Sequence, residues 1–211
     1  AEGEGENSSR GGINIVGGSP SPAGDQLTGG QGGAGGAEEE GPLLNSILPT
    51  RASRAGGTDL RVIGGDFRAP MEVLIGGEPC VSLSVESVSR LRCTLPAWPE
   101  PTVVDVSVAW LDDEGEQVGA RQTLTEALTY YEEVRLLELS PAQGPAQGST
   151  EVTLTGEGFE EPTEVRFGGL PALSVEVSDA QTIRALTPPS APRLADVTLQ
   201  NANGSGALRD A

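Results

Sequence analysis

The side chains that could do chemistry in this sequence are few: Cys80 and Cys93, the carboxylate run Asp112-Asp113-Glu114-Gly115-Glu116, and the indole of Trp98. Histidine is absent, and with it go the commonest general base and the commonest zinc ligand. Ser-His-Asp and Cys-His nucleophilic machinery therefore cannot be assembled within the chain, and an enzyme would have to rely on paired carboxylates alone. No acidic pair is flanked by the aromatics that would hold a sugar. Two cysteines without a third or a histidine make no metal-ligand set, and no cofactor is implied. The carboxylate run could offer calcium its hard oxygen ligands, but its spacing is not that of an EF-hand loop. Acidic hairpin tips are ordinary in a chain of net charge −18, so a solvated turn is the expectation there. Trp98, in Pro96-Ala97-Trp98-Pro99, falls on a loop and is the best candidate for a contact residue, against a packing role over the end of a domain. The Gly-x-Gly sequences precede no helix, and without lysine no Gly-Lys-Ser/Thr phosphate loop exists.

The elements that must position these residues are strands. Gly and Pro number 30 and 16 among 211 residues while aromatics are only 3%, a balance that suits small β-sandwiches with many turns and not a long helical core. The length leaves room for two domains of about 80–100 residues and a tail. No run of apolar residues is long enough for a transmembrane helix, so no membrane insertion is expected. All 13 basic residues are Arg, and the acidic balance repels phosphate backbones, so nucleic acid is not an expected partner. A small residue at Ala1 fits cleavage by signal peptidase, and its not being Cys gives no indication of a bacterial lipid anchor.

Residues 1–42 are low-complexity and dominated by Gly, Ser, Pro and Glu, which reads as a flexible acidic linker. One interruption stands out: Ile13-Asn14-Ile15-Val16, flanked by Gly-Gly on both sides, has the residues and the alternation of a strand. Its alternative is an incidental apolar cluster. Beyond residue 43 the chain repeats itself. GGTDLRVIGGDFRAPMEVLIGGEPC, starting at 56, aligns without a gap on GSTEVTLTGEGFEEPTEVRFGGLPA, starting at 148, and Cys93-Thr94-Leu95-Pro96 falls on Ala185-Leu186-Thr187-Pro188. Val104-Asp105-Val106-Ser107-Val108 matches Ala195-Asp196-Val197-Thr198-Leu199 after a one-residue shift. Val152 and Leu154 alternate with polar neighbours, as do Leu173, Val175 and Val177. That is period-2 patterning in short strands with turns between them. The expectation is an all-β protein: two tandem immunoglobulin-like β-sandwiches, at 43–133 and 134–211. Gly64 and Gly156 are expected at sharp turns, Gly76-Gly77 and Gly168-Gly169 in hairpins of positive φ, and Phe67 and Phe159 as core plugs.

Gly64-Gly65-Asp66-Phe67, Ile75-Gly76-Gly77 and Cys93-Thr94-Leu95-Pro96, echoed by Gly156-Glu157-Gly158-Phe159, Phe167-Gly168-Gly169 and Leu186-Thr187-Pro188, resemble the IPT/TIG family. This is the immunoglobulin-like fold shared by plexins, Rel-type transcription factors and many bacterial surface proteins. The resemblance places Cys80 and Cys93 where extracellular members form a disulfide, which would imply an oxidising compartment. Two buried free thiols are the alternative, and Ala172 and Ala185 take both places in the second copy. DNA-binding members use basic loops, from which this chain departs. The first copy finishes with Leu128-Thr129-Tyr130, resembling the family's last strand. In the second, Asp210-Ala211 matches Glu126-Ala127, so the second sandwich is expected to lack that strand and to expose an apolar groove. The groove would be filled by further sequence or by Ile13–Val16 of a neighbouring copy. The resulting expectation is a non-enzymatic protein, secreted or at a bacterial surface, serving as spacer, adhesin stalk or filament subunit. Its partners would be head-to-tail copies of itself or other surface proteins. A carbohydrate-binding module, or an accessory part of a larger secreted enzyme, is the alternative.

Overall fold

The computed structural model describes residues 40–210, which contain no helix. The Ile13–Val16 segment and most of the tail lie outside the described residues.

Residues 43–131 form nine strands: β1 (Leu43–Leu48), β2 (Arg51–Ser53), β3 (Asp59–Gly65), β4 (Met71–Ile75), β5 (Glu78–Pro79), β6 (Ser82–Ser87), β7 (Arg90–Thr94), β8 (Thr102–Leu111) and β9 (Gln117–Tyr131). They pair as two sheets, β1-β3-β7-β6 and β2-β9-β8-β4-β5. Residues 135–208 add β10 (Arg135–Ser140), β11 (Glu151–Glu157), β12 (Glu164–Phe167), β13 (Leu170–Pro171), β14 (Ser174–Asp179), β15 (Thr182–Leu186), β16 (Val197–Asn201) and β17 (Gly204–Leu208). Their sheets are β10-β11-β15-β14 and β13-β12-β16-β17. The chain thus folds as two tandem β-sandwiches.

Alternation dictates which face is buried. In β3, Leu60 and Val62 point inward while Asp59 and Arg61 face water; β11 does the same with Val152 and Leu154. In β4, Met71, Val73 and Ile75 meet Val106 and Val108 of β8 in the core. A one-residue slip would carry all of these to solvent, so the alternation also fixes the register. Phe67 and Phe159 plug the two cores, 2% and 4% exposed.

Gly76-Gly77 and Gly168-Gly169 have positive φ at both positions, as a two-residue hairpin of this hand requires. Gly64 and Gly156 differ from the turn expected of them. Both lie inside strands, and neither has positive φ. Close approach requires them instead. A Cβ on Gly64 would collide with the Leu43 carbonyl and stand 2.5 Å from the Phe67 ring. On Gly156 it would meet the Arg135 carbonyl and the Phe159 ring in the same way.

Cys80 and Cys93 are disulfide-bonded, with Cα atoms 5.8 Å apart. The bridge ties β7 in one sheet to the segment after β5 in the other, with Cys93 fully buried. In the second sandwich Ala185 is buried at the matching place.

The sandwiches meet through a polar cluster that the repeat comparison did not anticipate. The Arg51 guanidinium donates to Glu160 at 2.8 Å and to the Asn203 side-chain oxygen at 2.7 Å, and lies over the Tyr131 ring. Asn203, 8% exposed, donates in turn to the Gly158 carbonyl, and Arg54 pairs with Glu132 beside it. Arg51 holds the Glu160 carboxyl below its ordinary value, chiefly through their hydrogen bond and against the opposing effect of burial.

Two outcomes follow from this architecture. Replacing both Cys80 and Cys93 by Ala should cost the first sandwich about 3 kcal/mol and leave the second unaffected, read by chemical denaturation of the two transitions. Because the Glu160 pKa is lowered in the fold, its contribution is full above the ordinary carboxylate value and disappears as pH falls through the depressed one. Glu160→Gln at neutral pH should therefore loosen the junction as acid does. Both side chains of the pair are more than one-third exposed, so the effect is at most about 1 kcal/mol. NMR relaxation of the two sandwiches would detect it as partial decoupling of their tumbling.

Candidate functional site

The first sandwich shows how this fold closes. After a bulge at Glu126, β9 runs on through Leu128, Thr129 and Tyr130. The extension is antiparallel to the start of β8, with Val104 opposite Leu128 and Thr102 opposite Tyr130. On its other side it is parallel to β2, with Arg51 opposite Thr129 and Ala52 opposite Tyr130. Leu128 and Tyr130 are fully buried. The Tyr130 hydroxyl donates to the Pro96 carbonyl at 3.0 Å, and the Trp98 ring stacks on the phenol at 5.3 Å between centroids. Burial pushes the Tyr130 phenol up to about 12.

The second sandwich follows the same path up to one point. Asp210 donates its amide to the Asp196 carboxylate at 3.0 Å, as Glu126 does to Asp105 at 2.8 Å, and both bulge residues have positive φ. Past that bulge, where Leu128 and Tyr130 sit in the first sandwich, lies a cleft of about 450 Å³. Val152, Phe167, Val197 and Leu139 form its apolar wall, with Thr187 and Pro188 along its floor. Ser190 stands where the first sandwich has Trp98: its amide donates to Ala146 as that of Trp98 does to Arg54. The aromatic end plate is therefore missing here. The Thr150 hydroxyl lines the cleft and has no hydrogen-bond partner. In a chain of charge −18, the only ionisable side chain lining the cleft among the described residues is Arg193, which donates to the Gly168 carbonyl at 2.9 Å. Leu194 on its rim is 74% exposed.

The other sequence candidates are placed elsewhere. Trp98 is half-buried, spent on the Tyr130 ring and packed close to Gly76. The Asp112–Glu116 run makes the β8–β9 turn, where the Asp112 carboxylate accepts the amides of Glu114 and Glu116. Among the described residues no three Asp, Glu, Cys or His side chains converge as metal ligands. Trp110 donates its indole N–H to the Asp66 carbonyl and has the Arg68 guanidinium 3.9 Å above it. The junction residues Arg51, Glu160 and Asn203 were missed from sequence. The one local signal was that Glu160 breaks the repeat at the position of Arg68.

Both folded units are immunoglobulin-like sandwiches with matching strand order apart from β2, and Gly64 and Gly156 make the same close contacts in the two. The chain belongs to the IPT/TIG domain family, whose model matches residues 42–117 and again 135–209. Similar solved structures include the full extracellular region of plexin A4, at 24% identity and a TM-score of 0.35, covering 83% of this chain and 18% of that one. SGBP-B from a complex xyloglucan utilization locus in Bacteroides uniformis is 17% identical, with a TM-score of 0.36, over 80% of this chain and 48% of that one. A surface glycan-binding protein from Prevotella bryantii is 17% identical, with a TM-score of 0.40, over 79% and 41%. The chain therefore spans less than half the length of each.

The closure of the first sandwich can be tested at one atom. Tyr130→Phe should cost about 1–2 kcal/mol by leaving the Pro96 carbonyl without its buried donor. The phenol pKa is raised in the fold, so that part of the wild-type stability is full below the ordinary tyrosine value of 10.0 and is lost as pH rises toward about 12. Denaturation curves should thus show the advantage of the wild type over Tyr130→Phe shrinking above pH 10.

Proposed function

We propose that this protein is a non-catalytic extracellular structural and interaction protein, a surface spacer, adhesin stalk or filament subunit, whose second sandwich docks an extended β-strand. The cleft beside Arg193 carries this reading. It has the position and apolar lining of a site that the first sandwich fills with three residues of strand. A strand entering it would gain main-chain hydrogen bonds along one edge and bury alternate side chains between the sheets, which is recognition by β-strand addition.

The carbohydrate reading finds less support. A sugar face needs an exposed ring, and every aromatic residue of this chain is engaged. The three Phe side chains are buried, Trp98 lies on Tyr130, Trp110 is under Arg68 and Tyr131 is under Arg51.

The direct test is a fluorescent peptide copying Leu124–Glu132, the strand that closes the first sandwich. It should bind the intact chain with one site, and a Leu128→Asp version should bind at least about tenfold more weakly because it carries a charge into an apolar cleft. Equal binding of the two peptides, or none, would sink the docking reading.

A further inference from the structure

We infer that the outer face of the β1-β3-β7-β6 sheet is a recognition surface for an extended acidic segment of a partner protein, held by Arg61 and Arg90. The surface belongs to the first sandwich alone and does not depend on strand docking by the second.

Alternation builds the face. Leu60 and Val62 of β3, and Leu91 and Cys93 of β7, point into the core, so Arg61, Arg90 and Arg92 stand on the opposite side, all exposed. Arg61 lies directly opposite Arg92 across the β3–β7 ladder, and Ile63 lies opposite Arg90. No other sheet face among the described residues carries three Arg. Like charges directly opposed in an antiparallel pair are destabilising. The fold does not require this arrangement. In the β11–β15 ladder of the second sandwich, Thr153 and Thr182 take the places of Arg61 and Arg90, and only Arg184, in the place of Arg92, is kept. Threonine is among the residues that strands favour. The first sandwich has thus concentrated cations on one exposed face, against its own stability, in a chain of net charge −18.

Two of the three guanidinium groups are unspent. Arg92 meets Glu86 at 3.1 Å and Asp59 at 3.7 Å. Both nearby carboxylates are therefore drawn to Arg92. Arg61 and Arg90 form no ion pair among the described residues. They are diagonal neighbours across the ladder, on stems about 7–8 Å apart. Alternate residues of an extended chain repeat every roughly 6.6–6.8 Å. A segment with carboxylates at i and i+2 would thus set one on each guanidinium. The planar fork of arginine takes a carboxylate through two parallel N–H···O bonds, which a compact ammonium does not.

The same geometry narrows the partner. The four strands of this sheet contain no aromatic residue, so a sugar has no ring to stack on, and a polypeptide is favoured over an acidic glycan. Most of the remaining surface is acidic and repels an acidic segment, so this face also decides where such a segment lands.

The test uses the full chain and a short labelled peptide in which Glu alternates with Thr. It should bind at one site at low ionic strength and shift the NMR signals of Arg61, Ile63, Arg90 and Arg92 selectively. Binding should weaken as salt shortens the Debye length from about 30 Å at 0.01 M to about 8 Å at 0.15 M. Arg61→Thr with Arg90→Thr should lower affinity roughly tenfold, as the loss of two exposed ion pairs near the top of their range. The unfolding midpoint of that variant should equal or exceed that of the unmodified chain, because opposed like charges have been removed. Arg184→Thr should leave binding unchanged. A lower midpoint in the double variant would make the arginines structural and overturn the assignment. A peptide of the same composition with its Glu residues contiguous should bind more weakly; equal binding would show that strand spacing is not read. If polygalacturonate binds through Arg61 and Arg90 and the peptide does not, the face takes an acidic glycan and the protein partner is lost. Binding of neither also sinks the proposal.

Discussion

An apolar side chain between two sheets stays dry only while every strand that walls it is in place. In the first sandwich that requirement is met by the end of β9, which is hydrogen-bonded on both sides and carries Leu128 and Tyr130 into the core. The other features of that end depend on it. Trp98 has a ring to stack on, Pro96 has a donor for its carbonyl, and β2 has a strand to pair with. The second sandwich presents the same wall, with Val152, Phe167 and Val197 lining its cleft. Among the described residues it forms no strand equivalent to β2, and the pairing of β16 with its neighbours starts at Val197.

Much of the fold was legible because two kinds of information coincide in the sequence. The period-2 alternation in Val152–Leu154 or Leu60–Val62 names the buried face, and the ungapped repeat says that whatever holds for one copy holds for the other. The paired cysteines and the hairpin glycines were readable for the same reason: each has a local geometric requirement that few residues meet. Gly64 and Gly156 were read for the wrong requirement. A glycine in sequence signals either positive φ or close approach, and only the packing of the Leu43 carbonyl and Phe67 ring against Gly64 distinguishes them.

What sequence could not supply were contacts between distant positions. Arg51 and Glu160 are 109 residues apart, on strands and loops that no alternation relates, and their pairing depends on how one sandwich is set on the next. The cleft lies between these extremes. The match of Asp210 to Glu126 was legible, and the two residues make the same amide-to-carboxylate contact in their sandwiches. The chemistry of the cleft was not legible. That a chain of charge −18 keeps carboxylates out of one apolar opening emerges only when Leu139, Thr150, Phe167 and Arg193 are brought together from four separate segments.

The charges at the sandwich ends also distinguish the junction from the other ends of the two modules. The internal junction sets Arg51 and Arg54 of the first sandwich against Glu160 and Asn203 of the second, with Glu132 between them. Repeating that joint between molecules would set the far end of the second sandwich against the opening end of the first. There the repeat places Gln143 and Ala146 in the positions of Arg51 and Arg54, and Arg68 in the position of Glu160. The ion pair is lost on both sides, and the Arg68 guanidinium is already engaged over Trp110. The chemistry of the junction is therefore particular to this one pair of sandwich ends, and the two modules are not interchangeable across it.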